Sequence, residues 1–212
     1  MASEPTASFL PPSELGDLGP GLTAALIHDA LRDGEASANA CTSNDPTILP
    51  GLLRWARTIR GLRDRLASFG WTRSNARGLP TVVCPSGKVA ITVSTGDEGT
   101  GTDALARTKY PKGAAALFAV TVNQLAFAGD GFDFPPFEDS SSDAEDRATW
   151  YLLFVKDGAE IRAELSLPAG VGDSGHVEGF VTRYRLPPLD LTEKAPQRAS
   201  DEPDVEINVA RK

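Results

Sequence analysis

The chain has 212 residues, enough for one well-buried core and little more, with 41% apolar residues, 24% charged residues and a net charge of −8. This composition excludes collagen-like, coiled-coil and wholly disordered chains, and there is no run of about 18 or more apolar residues to cross a membrane. The first dozen residues lack the basic start and apolar stretch of a secretory signal, so a cytoplasmic location is expected.

Residues 1–20 are punctuated by Pro and Gly without an apolar period and read as a flexible lead-in to a single domain over 21–189. Leu22, Ala25, Leu26 and Ala30 recur at helical spacing, with Thr23 near the start and Gly34 as a natural stop, so a short helix is expected. Residues 49–69 carry the clearest pattern in the chain. There Leu52, Ala56, Ile59, Leu62, Leu66 and Phe69 step by three and four until Gly70 ends the run.

From Leu79 the period changes to two. Thr81 to Cys84, the turn Pro85-Ser86-Gly87-Lys88, and the alternation of Val89, Ile91 and Val93 predict a β-hairpin. Residues 95–112 show no period and exceed the ~12 to 15 residues of an idle connection, which marks them as either a functional loop or a mobile one. Residues 114–127 are apolar on nearly all sides and read as a buried helix, although Val120-Thr121-Val122 would equally suit a strand. Residues 129–147 form a solvated acidic loop, holding Asp130, Asp133, Glu138, Asp139, Asp143, Glu145 and Asp146.

Next, an apolar run over 150–155 and the turn Lys156-Asp157-Gly158-Ala159 lead into a strand in which Glu160, Arg162, Glu164 and Ser166 alternate with apolar residues. The pair reads as a central strand beside a half-exposed one. A final strand over about 177–186 stops at Pro187-Pro188, and 190–212 reads as a flexible acidic tail. Within that tail, 204–209 alternate acid or amide with β-branched residues, a pattern suited to adding a strand to a sheet edge, either a partner's or the chain's own. The fold expected is α+β: one domain with a mostly antiparallel sheet of about five strands, two or three helices on one face, and flexible termini.

Charge is unevenly placed. Residues 54–77 hold seven Arg and one acid for a local +6, while the rest of the chain carries −14. At 100° per residue, Arg54, Arg57, Arg60 and Arg65 fall opposite the apolar stripe of the helix, and Arg73 and Arg77 follow beside Trp71. Guanidinium forks match phosphate oxygens, and an indole is a stacking platform for a base, so this ridge is a candidate nucleic-acid surface; a solvated helix face is the alternative. Arg107, Lys109 and Lys112, just before the buried helix, form a second cationic group suited to an anion.

Other chemistries are poorly supplied. The Gly-rich stretch 96–102 lacks the Gly-Lys-Ser/Thr that opens a helix in a Walker loop. Asp97, Glu98 and Asp103, with Lys109 or Lys112, allow a metal-dependent phosphodiesterase or nuclease as an alternative function. Cys84 and His176 are the sole thiol–imidazole candidates, and no zinc-ligand spacing is present. Fifteen Arg against six Lys, with abundant Ala, fit a bacterial or phage source. The expectation is therefore a non-enzymatic interaction protein without cofactor or metal, contacting nucleic acid or an acidic protein partner.

Overall fold

A computed structural model describes residues 8–128 and 147–192; the acidic stretch 129–146 and the alternating tail segment 204–209 lie outside the described residues. The strands are β1 (Ser8–Leu10), β2 (Thr72–Ser74), β3 (Thr81–Val83), β4 (Val89–Thr95), β5 (Ala148–Asp157), β6 (Glu160–Val171), β7 (Val177–Arg185) and β8 (Leu189–Asp190). The α-helices are α1 (Ala24–Asn39), α2 (Leu49–Leu66) and α3 (Ala114–Ala128). The content is mixed α/β, around a single open sheet in the order β1-β7-β6-β5-β4-β3-β2, with β8 beside β6.

Most pairings are antiparallel, as expected, but two features depart from the expected sheet of about five strands with helices on one face. The pairs β1/β7 and β4/β5 are parallel, which makes the sheet mixed. The helices also occupy both faces. α1 and α2 pack on one face over Ile91, Val93, Leu152, Phe154 and Leu165, whereas α3 covers the other, where Val120 meets Tyr151 and Leu153. The second correction follows from the first, because parallel neighbours cannot be joined by a hairpin and need a crossover element lying on a face. α3 is that element.

Within the expected lead-in, residues 8–18 form regular elements. Ser8 to Leu10 add as β1 to the edge of β7, and Pro12–Leu18 form a 3-10 helix that buries Leu15. A two- or three-residue strand has no room to display a period, which is why β1, β2 and β8 escape a pattern search.

α1 starts where the sequence places it, since the Thr23 hydroxyl accepts the Leu26 amide at 3.2 Å as an N-cap. It does not stop at Gly34 but runs on to Asn39. Gly34 is there for contact: a Cβ at this position would stand 2.3 Å from Thr58 Oγ1 and 2.6 Å from the Arg54 carbonyl oxygen, so its absence lets α1 and α2 pack closely. α2 ends as expected, through a 3-10 turn to Gly70 in the left-handed conformation, with Ile59, Leu62 and Leu66 buried.

The 95–112 loop is a packed element. It lies on the sheet over Glu164 and Arg183, which are 0% and 2% exposed. Arg183 grips Glu164 with two hydrogen bonds, at 3.1 and 2.6 Å, and turns its remaining donors to the carbonyls of Ala104 (2.9 Å), Thr102 (3.2 Å) and Gly99 (3.3 Å). Glu164 in turn accepts the Gly101 amide at 2.8 Å and the Ser166 hydroxyl at 2.8 Å. Gly101 adopts φ +73, and a Cβ there would stand 3.1 Å from the Arg162 Cβ and 3.4 Å from the Ala163 nitrogen, a conformation and a clearance that favour glycine. The outward-facing row expected for 160–166 is therefore buried at Glu164 and Ser166, because the alternation identifies a face without saying what covers it.

Candidate anion-binding groove

The loop, once clamped, delivers its cationic end to a fixed place. The Lys109 amide donates to the Thr95 carbonyl at 2.9 Å, and the Lys112 amide donates to the Gly175 carbonyl at 2.8 Å. Thr108 exchanges backbone and hydroxyl bonds with Val177, and His176 Nδ1 sits 2.6 Å from the Thr108 oxygen. Lys109, Tyr110 and Lys112 thus stand over the carboxyl ends of β4 and β5 on the α3 side of the sheet. The first turns of α2 face them from the other side.

Between these walls lies a cleft of about 700 Å³, and a second, of about 540 Å³, continues along the edge of β4 that short β3 leaves uncovered. Trp55, Val93, Ser94 and Lys112 line both, so the two form one groove. The carboxyl end of parallel strands is the usual place for a ligand in an open α/β sheet. Among the described residues, five cationic side chains line this groove, Arg54, Arg77, Lys109, Lys112 and Lys156, and no carboxylate does. The first turn of α3, at Gly113 to Ala115, adds the positive end of a helix. Burial lowers the Lys112 ammonium below its ordinary pKa, so an incoming anion would find a partly desolvated charge.

Of the aromatic side chains lining the groove, Tyr151 and Phe154 are buried and two are not. The Trp55 indole is fixed by a 3.0 Å bond from Nε1 to the Val93 carbonyl, and Tyr110 is 59% exposed. Beneath the mouth, Glu35 is buried at 3% exposure and joins Arg54 (2.5 Å) to Lys156, tying α1, α2 and β5 together. Burial alone raises the Glu35 pKa, but the hydrogen bonds and charges of Arg54 and Lys156 outweigh it and hold the carboxyl below its usual range. A depressed folded pKa stabilises above the unfolded value and is lost as pH falls through the folded one. Glu35→Gln is therefore expected to cost about 1–3 kcal/mol at pH 7, and urea denaturation should show the gap to wild type closing below about pH 4.

Of the sequence-derived residues, the groove gathers Arg54, Arg77, Lys109 and Lys112; Trp55, Tyr110 and Lys156 join them unexpectedly. The ridge itself is divided. Arg60 pairs with Asp64 at 3.1 Å and Arg65 with Asp33 at 2.6 Å, while Arg63 is turned inward onto the carbonyls of Ser74 and Thr81. Arg57 and Arg73 are exposed, away from the groove lining, and Arg107 lies 3.4 Å from Asp97. Arg77 lies over the Phe118 ring at 3.9 Å. Trp71 departs from its expected role as a stacking platform. It is 4% exposed, with its indole nitrogen donating to the Pro20 carbonyl at 2.8 Å, because it anchors the N-terminal segment in the core.

Two carboxylates of the alternative function, Asp97 and Asp103, are engaged locally. Asp97 accepts the Gly99 and Arg107 amides, and Asp103 pairs with Arg185 at 2.5 Å. Among the described residues no group of three or more His, Cys, Asp or Glu is placed to hold a metal ion. Cys84 and His176 also stay apart, the first at the turn leading into β4 and the second beside Thr108 at its far end. Among the described residues no helix is long and apolar enough to cross a membrane. No family model, curated protein or solved structure matches the chain.

Proposed function

We propose that the protein binds single-stranded nucleic acid, taking the strand in the groove at the ends of β4 and β5 rather than on the outer face of α2. The observation that carries this reading is the groove's lining: among the described residues it holds Arg54, Arg77, Lys109, Lys112 and Lys156 and no carboxylate, with Glu35 beneath it answering Arg54 and Lys156, in a chain whose net charge is −8. Concentrating positive charge in a concave site of an acidic protein directs an anion there and away from the remaining surface. Trp55 and Tyr110 supply the faces on which unpaired bases stack, a combination of charged track and aromatic platform that suits a single strand of any sequence.

The test is fluorescence anisotropy of a labelled oligothymidylate of about 15 nucleotides over a salt series. Binding is expected with a log–log salt slope of about −3, the value for roughly four phosphates on a single strand, and a duplex of equal length should compete poorly. Retention of poly-glutamate without any binding of the oligonucleotide would transfer the groove to an acidic protein partner.

A further inference from the structure

We propose that the mouth of the groove is also the docking surface for the chain's own C-terminal segment 201–209, which occupies it when no nucleic acid is bound. This rests on the groove being the binding site argued above and adds an internal competitor to it. Three observations converge on the segment.

The first is its position. The described chain ends at Thr192, where the Leu191 amide donates to the Ala159 carbonyl at 2.9 Å and β8 pairs with the start of β6. Ile161 is paired with Leu189 on one side and Lys156 on the other, which puts Lys156 of the groove about 10 Å from the departing chain, two strand spacings away. The intervening residues 192–200 span up to about 30 Å when extended, several times what is needed.

The second is charge. Segment 201–209 contains Asp201, Glu202, Asp204 and Glu206 and no base, whereas the mouth presents Lys109 and Lys112, with Lys156, already paired with Glu35, beside them.

The third is its period. Val205, Ile207 and Val209 alternate with Asp204, Glu206 and Asn208, so an extended segment carries aliphatic side chains on one side and polar ones on the other. The mouth is divided in the same way. Ile48 and Leu52, 74% and 49% exposed, lie on the α2 wall, and the lysines of the loop lie opposite. An amphipathic strand fits between the walls with its aliphatic side toward α2 and its acids toward Lys109 and Lys112.

The experiment uses full-length protein in three forms: wild type, Asp201→Asn/Glu202→Gln/Asp204→Asn/Glu206→Gln, and Val205→Ser/Ile207→Ser/Val209→Ser. The last keeps every acid. Two readouts are taken, affinity for labelled oligothymidylate at low salt and the Trp55 indole N–H resonance of the free protein. A tether giving an effective concentration on the order of 1 mM, against a weak segment affinity on the order of 0.1 mM, masks the site about tenfold. Both variants are therefore expected to bind about tenfold tighter than wild type and to shift the Trp55 resonance. If the serine variant matches wild type in both readouts, the tail acts only through diffuse charge and the proposal is overturned. An unmoved Trp55 resonance in both variants overturns it as well. A shifted resonance with no oligonucleotide binding by any form upholds the docking and removes the nucleic-acid reading instead.

Discussion

Arg183→Met is expected to destabilise the protein by about 3–5 kcal/mol, the cost of leaving a buried carboxylate without its partner. Glu164 is wholly enclosed, and Arg183 is both its bidentate counter-ion and the donor to three loop carbonyls, so one substitution strips the charge pair and the loop anchor together. The replacement is close in volume and apolar, which separates the electrostatic loss from a cavity. Urea denaturation gives the stability change, and hydrogen exchange over 96–107 gives its location: protection there should fall before protection in β5 and β6. Combining it with Glu164→Leu should recover part of the loss, because a buried pair replaced whole is far less costly than a pair broken. A stable Arg183→Met variant with a fully protected loop would show that the clamp does not hold the loop.

That clamp also marks where the sequence stopped being readable. α2 and the two hairpins were legible because Leu62, Leu66, Ile91 and Leu165 recur with the periods of their elements, and the core is built from those residues. The crossover has a sequence signature, since an aperiodic loop followed by an apolar helix between two strands is the connection that parallel neighbours need. Glu164 and Arg183 were not legible, since a charged residue in an alternating strand ordinarily faces water and its cover here comes from residues sixty or more positions earlier. The groove was half legible. Lys109 and Lys112 stood out as a basic cluster, but Lys156 read as part of a turn, and Trp55 occupies an interior position of a helix where charge drew the eye to Arg54 and Arg57. The burial of Trp71 had no local sign at all, because its partner Pro20 lies in a segment without periodic pattern.

Charge reversal separates the groove from the ridge. Lys109→Glu/Lys112→Glu is expected to weaken oligothymidylate binding about 100-fold, a loss of about 2.7 kcal/mol from two contacts removed and two repulsions created. Arg57→Glu/Arg60→Glu/Arg73→Glu changes the net charge by more, yet should weaken it no more than about threefold, the long-range effect of exposed charges screened over ~10 Å. Both sets of positions lie at or near the surface, so each variant should retain the wild-type denaturation curve. An equal loss in the two variants would mean that binding follows overall charge.

The central claim is that a single strand lies in the groove, and photo-crosslinking tests it most directly. An oligonucleotide bearing 5-iododeoxyuridine is irradiated at long wavelength with the full-length protein, and the modified residue is identified by peptide mass spectrometry. The result expected is attachment to Trp55 or Tyr110, the aromatic side chains of the groove that are not buried, abolished by Lys109→Glu/Lys112→Glu. Attachment confined to the segment bearing Arg57, Arg60 and Arg73, or none above that of an unrelated acidic protein, would contradict it.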